Sequence, residues 1–347
     1  MRYRILGEHT GLRVSEIVLG TAMFGTGWGY GTDRDESRRI LDGYVDAGGN
    51  FLDTADTYQF GDSETFLGEM IAGRRDEFVV ATKYTLGAAA QGTVSTTGNS
   101  RKNMRQSVEA SLRRLRTDHI DLLWVHMPDG VTPMDEIVRG LDDLVRAGKI
   151  VYGGLSDFPA WRVARGATMA ELRGWAPIAA LQTEYSLVER TSDRELLPMS
   201  SALGLGVVGW SPLGGGVLTG KYRRGERGRV TEMKRVIQVE DTPQRTAVID
   251  TLEAVAREAG SNPGRVAISW VASKGVIPII GPRTRAQLDD NLAATELRLT
   301  PDQLRRLDEA SAIPLGFPHD LLAAEANRSR LAAGRHDLVD APARVVA

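Results

Sequence analysis

The sequence contains no cysteine among its 347 residues, and it also lacks long apolar runs. Without cysteine, a disulfide framework, a thiolate nucleophile and a cysteine-ligated metal are excluded. No apolar run approaches the roughly 20 residues that cross a bilayer, and residues 1–7 lack the apolar segment of a signal peptide. We therefore expect a cytoplasmic protein that does not span a membrane and binds no metal.

The sequence also lacks an excess of charge of either sign, because 43 Lys and Arg residues face 45 Asp and Glu residues. A chain with so little net charge has no general attraction for nucleic acid or for an anionic membrane. Its apolar content of 42% is typical of a globular protein with a large core. We therefore expect small molecules as partners, and a homo-oligomer remains open.

Short apolar segments alternate with helical patterns along most of the chain. Apolar runs too short for a helix indicate buried strands, and eight of them occur at 17–20, 51–53, 78–83, 120–126, 151–155, 179–182, 207–210 and 277–280. Helical spacing follows them at 34–47, 63–71, 101–115, 134–147, 160–173, 194–203, 246–259 with 264–273, and 285–293. Eight strand–helix units predict an α/β fold, the (β/α)8 TIM barrel.

The remaining segments are predicted to surround this barrel. Residues 3–6 and 13–16 suit a hairpin that plugs one end of it. A long polar insertion follows the seventh strand, and a helix at 300–310 precedes a C-terminal tail. Because no internal linker is visible, we expect one domain over 1–347, with the barrel at about 16–295.

A doubly wound nucleotide-binding sheet is the competing architecture, and Gly204, Gly206 and Gly209 match its fingerprint literally. That fingerprint requires glycines after a strand and at the start of a helix. These three glycines instead enter a strand. The loop 25–31 does follow a strand, but Tyr30 or Thr32 stands where its last glycine belongs. The barrel is therefore favoured.

Three consecutive strands end in polar residues that handle protons: Asp53, Lys83 and His126. Parallel neighbouring strands lie about 4.8 Å apart, so these side chains are expected at one end of the sheet. Tyr58 lies five residues beyond Asp53 and can fold back over them. A tyrosine has a pKa of about 10 and needs its anion stabilised to act as an acid, which a lysine paired with a carboxylate provides. The four residues predict a site that protonates a carbonyl.

Several segments resemble the aldo-keto reductase family in the family's order, over nearly the whole chain. They are 20–22, Asp53-Thr-Ala-Asp-Thr-Tyr58, 81–83, 126–129, 154–158, 182–185, Trp210-Ser-Pro-Leu-Gly-Gly-Gly-Val-Leu-Thr-Gly-Lys221, and Gly281-Pro-Arg283 with Gln287 and Asn291. The resemblance implies that Tyr58 is the general acid and that Lys83 lowers its pKa. It also implies that Asp53 fixes Lys83 and that His126 orients the carbonyl, with hydride from NADPH.

The resemblance also implies a cofactor site across the barrel mouth. Its residues are Gly20, Thr21, Ala22, Asp53, Ser156, Asp157, Gln182, Trp210, Ser211, Pro212, Leu213, Gly214, Lys221, Gly281, Arg283, Gln287 and Asn291. Ser156, Asp157 and Gln182 end strands where polar groups suit a carboxamide, and the face of Trp210 suits a nicotinamide ring. The family commonly has Asn at the position of Asp157 and often Tyr at that of Trp210, and an ionised Asp cannot donate a hydrogen bond.

The turn after the eighth strand bears on the choice of cofactor. Backbone amides and Arg283 stand just before a helix, where a phosphate is readily bound. By resemblance this is the adenosine 2'-phosphate site, which favours NADPH over NADH. The alternative is that Arg283 pairs with Asp289 or Asp290 on the helix surface.

A basic run follows Lys221 and consists of Arg223, Arg224, Arg227, Arg229, Lys234 and Arg235. Glu226 and Glu232 interrupt it and no aromatic platform accompanies it, so a loop closing over cofactor is favoured over a nucleic-acid site. By resemblance, Phe24 and Trp28 on the first loop form part of the wall that faces the carbonyl substrate, and the alternative is that they pack within the loop. The predicted function is NADPH-dependent reduction of an aldehyde or ketone, which is reversible. The alternative is a cofactor-binding regulatory or sensor subunit with slow turnover.

Overall fold

A computed structural model describes residues 1–228 and 238–340 of the chain. An antiparallel hairpin comes first, formed by β1 (Tyr3–Ile5) and β2 (Arg13–Ser15). Eight parallel strands then close into a barrel: β3 (Val18–Gly20), β4 (Phe51–Asp53), β5 (Val79–Tyr84), β6 (Ile120–Val125), β7 (Ile150–Ser156), β8 (Ile178–Glu184), β9 (Gly206–Trp210) and β10 (Ile277–Ile280). The predicted (β/α)8 fold is confirmed.

Among the described residues, nine helices follow the barrel strands and lie around them, and three more helices come after these in the chain. They are α1 (Arg34–Asp46), α2 (Asp62–Met70), α3 (Arg101–Leu115), α4 (Met134–Arg146), α5 (Ala160–Arg173), α6 (Leu196–Ala202), α7 (Pro243–Glu258), α8 (Pro263–Ser273), α9 (Arg285–Leu292), α10 (Pro301–Ser311), α11 (His319–Ala323) and α12 (Glu325–Leu331). No helix within the described ranges is long and apolar enough to cross a membrane.

Strands adjacent in sequence are neighbours in the barrel, and β10 closes it by pairing with β3. The register pairs Gly20 with Asp53 and Ser156 with Gln182, both at the carboxyl ends of their strands. Because the carboxyl ends of parallel strands lie at the same edge, the polar residues that end them share one mouth.

The hairpin closes the opposite end of the barrel, as predicted. Leu6 and Val14 are fully buried in the barrel interior, in the cluster that contains Trp124. The amide of Glu8 donates to the carbonyl oxygen of Gly204, just before β9 begins, at 2.7 Å. The hairpin therefore covers the amino-terminal end of the barrel and leaves the carboxyl end for the site.

Two helices start more than one residue away from the predicted position. α7 begins at Pro243 rather than Thr246, because Thr242 caps it by accepting a hydrogen bond from the amide of Arg245. α6 begins at Leu196 rather than Arg194, because residues 191–193 form a separate 3-10 turn. The helical periodicity located both helices, but these local turns determine where they begin.

Helix α10, which matches the helix predicted at 300–310, packs beside the barrel helices α7 and α8. Arg306 donates to both carboxylate oxygens of Glu258 at 2.7 and 2.9 Å, and the Trp270 ring nitrogen donates to Asp308 at 3.0 Å.

In the insertion after β9, Arg223 pairs with Glu240 and Arg224 with Glu226. The predicted positions Arg229, Glu232, Lys234 and Arg235 lie outside the described residues.

Candidate active site

Four predicted side chains meet at the carboxyl end of the barrel. Asp53 ends β4, Lys83 lies near the end of β5, and Tyr58 begins a short turn after β4. The Lys83 ammonium donates to Asp53 Oδ2, to the carbonyl oxygen of Thr54 at 3.0 Å and to the Tyr58 hydroxyl at 3.0 Å. One ammonium therefore joins a carboxylate to a phenol.

Inner-barrel side chains hold the carboxylate of Asp53, which is 2% exposed. Its Oδ1 accepts hydrogen bonds from the Trp124 ring nitrogen at 3.1 Å and from the Gln182 amide at 2.9 Å. A buried carboxylate needs such partners to stay ionised. Gly154 makes room for Trp124, since a Cβ there would lie 2.5 Å from the indole ring.

The charge of Lys83 is preserved by its neighbours. Burial alone disfavours the ammonium, but the negative charge of Asp53 and the hydrogen bonds to Asp53 and Tyr58 raise the pKa of Lys83 above its usual value. Lys83 is 1% exposed, so water screens this pair very little. The structure places a stable cation next to a phenolic oxygen.

Aromatic rings frame the hydroxyl of Tyr58. The His126 ring lies edge-on to Tyr58 with centroids 6.0 Å apart, and the Trp28 ring does so from the first loop at 5.9 Å. Backbone hydrogen bonding fixes His126, whose amide donates to the carbonyl oxygen of Tyr84 at 3.0 Å. The ring of Tyr58 is therefore in edge-on contact with both an imidazole and an indole.

The side chains predicted to meet a nicotinamide lie together after β7, β8 and β9. Ser156 is 1% exposed, and its hydroxyl oxygen has no hydrogen-bond partner among the described residues. The Trp210 ring nitrogen donates to Asp157 Oδ1 at 3.0 Å. The two positions that depart from the family pattern are thus hydrogen-bonded to each other, and the buried Ser156 hydroxyl fits an amide ligand.

The strand-end segment Gly20, Thr21 and Ala22 does not offer free side chains to a cofactor. Thr21 is fully buried, and its hydroxyl contacts Ser63 Oγ at 2.8 Å and the carbonyl oxygen of Asp53 at 3.2 Å. A Cβ at Gly20 would lie 2.6 Å from Ile279. Gly20, Thr21 and Ala22 therefore contribute to the site through their backbone.

The glycine-rich segment after Trp210 turns tightly beside the mouth. Ser211 has φ 54°, and Gly214, Gly215 and Gly216 also have positive φ. Pro212 and Gly214 are buried, whereas Leu213 is half-buried. A Cβ at Gly216 would lie 2.9 Å from the ammonium of Lys221, so the lysine packs against this backbone. The charge of Lys221 is thereby held at the segment.

The turn after β10 differs in part from the prediction. The amide of Arg283 donates to Gln287 Oε1 at 2.9 Å, that of Arg285 to Glu36 at 2.6 Å and that of Gln287 to Thr284 Oγ1 at 3.2 Å. These three amides are engaged within the protein, so they are not free donors for a phosphate. Asn291 is 8% exposed and mostly covered.

The guanidinium of Arg283 lies 4.1 Å from the centre of the Tyr30 ring. The two aspartates named as alternative partners have other arginines beside them: Asp289 pairs with Arg285 at 2.8 Å, and Asp290 with Arg265 at 2.8 Å. Gly281, immediately after β10, is exposed at the mouth. Arg283 therefore contacts the first loop, which follows the neighbouring strand β3.

Phe24 is not at the opening. Its ring is fully buried in the apolar layer between barrel and helices, in the cluster of Ile40 and Leu41. The alternation of a strand does not continue into a loop, so the sequence could not fix the direction of this side chain. Trp28 is the loop aromatic that the structure brings to Tyr58.

Sequence reasoning missed three residues of the site. Trp124 was assigned only to a buried strand, although its ring nitrogen binds Asp53. Asp56 and Gln59, on either side of Thr57 and Tyr58, received no role, yet Asp56 is 1% exposed and Gln59 is fully buried. Their polarity beside Tyr58 was the available signal.

The model of the Aldo/keto reductase family matches residues 16–312. The chain is 38% identical to a norsolorinic acid reductase of Aspergillus flavus over 92% of this chain and 84% of that protein. It is 36% identical to an NADP(+) aryl-alcohol dehydrogenase of Phanerodontia chrysosporium, covering 97% and 93% of the two chains. An uncharacterized oxidoreductase of Bacillus subtilis is 38% identical, with 91% and 98% covered.

Proposed function

Because this chain belongs to the aldo/keto reductase family, we propose that it reduces an aldehyde or ketone to the alcohol with NADPH, and catalyses the reverse oxidation. The observation that carries the proposal is the Lys83 ammonium, which binds the Asp53 carboxylate and lies 3.0 Å from the Tyr58 hydroxyl. A phenol held in this way is prepared to give up a proton. Relatives named as reductases and as an aryl-alcohol dehydrogenase support the reaction class.

The four residues Asp53, Tyr58, Lys83 and His126, called the tetrad below, have separate roles in this proposal. Tyr58 donates its proton to the carbonyl oxygen, and the Lys83 cation stabilises the phenolate that remains. Asp53 keeps Lys83 charged and in place, while His126 donates a hydrogen bond that orients the carbonyl. The reduced nicotinamide supplies the hydride.

The residues at the mouth fit such a cofactor. The unpartnered hydroxyl of Ser156, the Gln182 amide and the Asp157 carboxylate would hold the carboxamide, and Trp210 would lie against the ring. Because Gln182 already donates to Asp53, it would also link the cofactor contact to the tetrad. The segment from Ser211 to Gly214 with Lys221 would lie along the pyrophosphate, and Gly281, Gln287 and Asn291 would lie toward the adenosine.

Replacing Arg283 by Ala should weaken NADPH binding about tenfold or more, because a guanidinium pairs strongly with a phosphate dianion. NADH has no 2'-phosphate, so its affinity should change much less. Dissociation constants for both cofactors, from fluorescence titration, measure the difference. The matched control is Arg285→Ala, which removes a nearby guanidinium that pairs with Asp289 and should leave the NADPH preference unchanged. Equal weakening of both cofactors in Arg283→Ala would remove the phosphate role.

A panel of aldehydes and ketones tests the reaction itself. We expect the loss of NADPH absorbance to accelerate with at least one carbonyl compound, since the tetrad supplies both proton and orientation. A protein that binds NADPH tightly while no carbonyl accelerates its oxidation would instead fit a cofactor-binding regulatory or sensor subunit.

A further inference from the structure

Gln59 follows the tyrosine of the tetrad directly and occupies an unusual position. It is fully buried and has φ 51°, and the next residue, Phe60, has φ 59°. Two successive non-glycine residues in the left-handed region are uncommon and cost energy. Surrounding contacts must compensate for this cost.

The amide of Gln59 provides those contacts, and all of them go to the first loop, residues 21–33. Its Nε2 donates to the carbonyl oxygen of Ala22 at 2.9 Å and to that of Tyr30 at 3.1 Å, while its Oε1 accepts from the amide of Trp28 at 2.9 Å. One side chain therefore ties three points of the loop to the turn that carries Tyr58.

The glycines of the loop allow this close packing. A Cβ at Gly25 would lie 2.9 Å from Gln59 Cβ, and one at Gly27 would lie 2.9 Å from the Gln59 carbonyl oxygen. The amide of Gly25 donates to the carbonyl oxygen of Thr32 at 2.9 Å, and that of Thr32 donates to the carbonyl oxygen of Met23 at 2.7 Å, which closes the base of the loop. The fully buried ring of Phe24 anchors that base. The glycines of this loop thus permit its close contact with Gln59.

The loop in turn carries two aromatic rings to the mouth. Trp28 lies edge-on to Tyr58, with centroids 5.9 Å apart, and Tyr30 lies under the Arg283 guanidinium at 4.1 Å. Because Trp28 is half-buried, part of its indole remains exposed next to the ring of Tyr58. Aromatic rings attract one another in offset-stacked or edge-to-face arrangements, so an aromatic ring attached to the carbonyl would bind this indole better than a saturated ring of the same size.

We propose that Gln59 is a positioning residue that holds Trp28 as one wall of the substrate opening and thereby selects carbonyl compounds with a planar aromatic ring. This inference rests on the proposed function, because it assigns a substrate class to that same site. Gln59 acts through Trp28 and does not touch the reacting atoms.

The variant Gln59→Gly tests the proposal with little backbone strain, since glycine adopts positive φ freely. Benzaldehyde and cyclohexanecarbaldehyde form a matched substrate pair that differs in the planarity of one six-membered ring. The KM for benzaldehyde should rise about tenfold, that for cyclohexanecarbaldehyde should change by less than about threefold, and kcat should stay within about twofold for both. Equal changes for the two aldehydes, or a loss confined to kcat, would overturn the proposal.

A double-mutant cycle separates positioning from general damage. In a Trp28→Ala background, adding Gln59→Gly should produce no further rise in the benzaldehyde KM, because the wall is already absent. Independent, multiplying effects of the two substitutions would show that Gln59 does not act through Trp28.

Hydrogen exchange measures the loop without turnover. Peptides covering residues 22–32 should exchange faster in Gln59→Gly than in wild type, while Ala333→Gly, a control at another left-handed position with φ 53°, should leave them unchanged. Unchanged exchange in Gln59→Gly would refute the role of Gln59 in holding the first loop. Faster exchange in this variant, with a wild-type protein that reduces no carbonyl, would instead refute the proposed function and leave the role of Gln59 in the loop intact.

Discussion

Replacing Tyr58 by Phe is expected to lower kcat/KM for carbonyl reduction by a factor on the order of 10²–10⁴, the contribution of a positioned general acid. Only the hydroxyl is removed, and with it the 3.0 Å contact to Lys83. The phenyl ring keeps its contacts with Trp28 and His126, and Lys83 keeps Asp53 and the carbonyl oxygen of Thr54. NADPH affinity should therefore change little.

Steady-state loss of NADPH absorbance with an accepted aldehyde, together with a fluorescence titration of NADPH, measures both parts of this prediction. Tyr152→Phe is the matched control, because it removes the same atom from a half-buried tyrosine in β7 away from the tetrad. The control should retain wild-type turnover. Wild-type turnover in Tyr58→Phe would contradict the assignment of the proton donor.

The barrel and the meeting of the tetrad were accessible from sequence because both follow from strand ends. Buried parallel strands are short apolar runs, and their last residues must emerge at one edge. Asp53 and Lys83 follow this rule directly, as their ion pair shows. Tyr58 was placed by its proximity to Asp53 in the chain, and a short turn does bring it back over Lys83.

Loop residues were the part that the sequence could not place. Whether Phe24 points into the core or into the opening depends on a backbone path that no periodicity records. The left-handed turn at Gln59 is equally hidden, because glutamine has no preference for positive φ and only the completed loop contacts stabilise it there. Trp124 was placed on its strand, but its bond to Asp53 needs the closed barrel.

Asp56 lies inside the segment that identifies the site, yet the chemistry of the tetrad does not use it. It is 1% exposed, and neither carboxylate oxygen has a hydrogen-bond partner among the described residues. Burial raises the pKa of Asp56 from 3.8 to about 7, the negative charge of Glu64 adds to the rise, and Arg114 opposes it. Glu64 is itself buried and accepts hydrogen bonds from Arg114 at 2.6 Å and from Thr82 at 2.5 Å.

This raised pKa makes folding stability depend on pH in a defined direction. Below pH 4 Asp56 is protonated in both the folded and the unfolded chain. Between about pH 4 and pH 7 the folded chain keeps a proton that the unfolded chain releases, so stability falls by about 1.4 kcal/mol per pH unit. Above pH 7 the loss is complete, and it amounts to something on the order of 3–4 kcal/mol.

The substitution Asp56→Asn should therefore stabilise the protein at pH 8 by roughly 2–4 kcal/mol relative to wild type, because a neutral amide replaces a buried carboxylate. The advantage should shrink steadily as the pH is lowered toward 4. Urea unfolding of both proteins at several pH values measures it as a difference in free energy of unfolding. Asp62→Asn, which removes an exposed carboxylate at the start of α2, should follow the wild-type curve. Parallel curves for wild type and Asp56→Asn from pH 4 to 8 would mean that Asp56 is already ionised in the folded protein throughout this range.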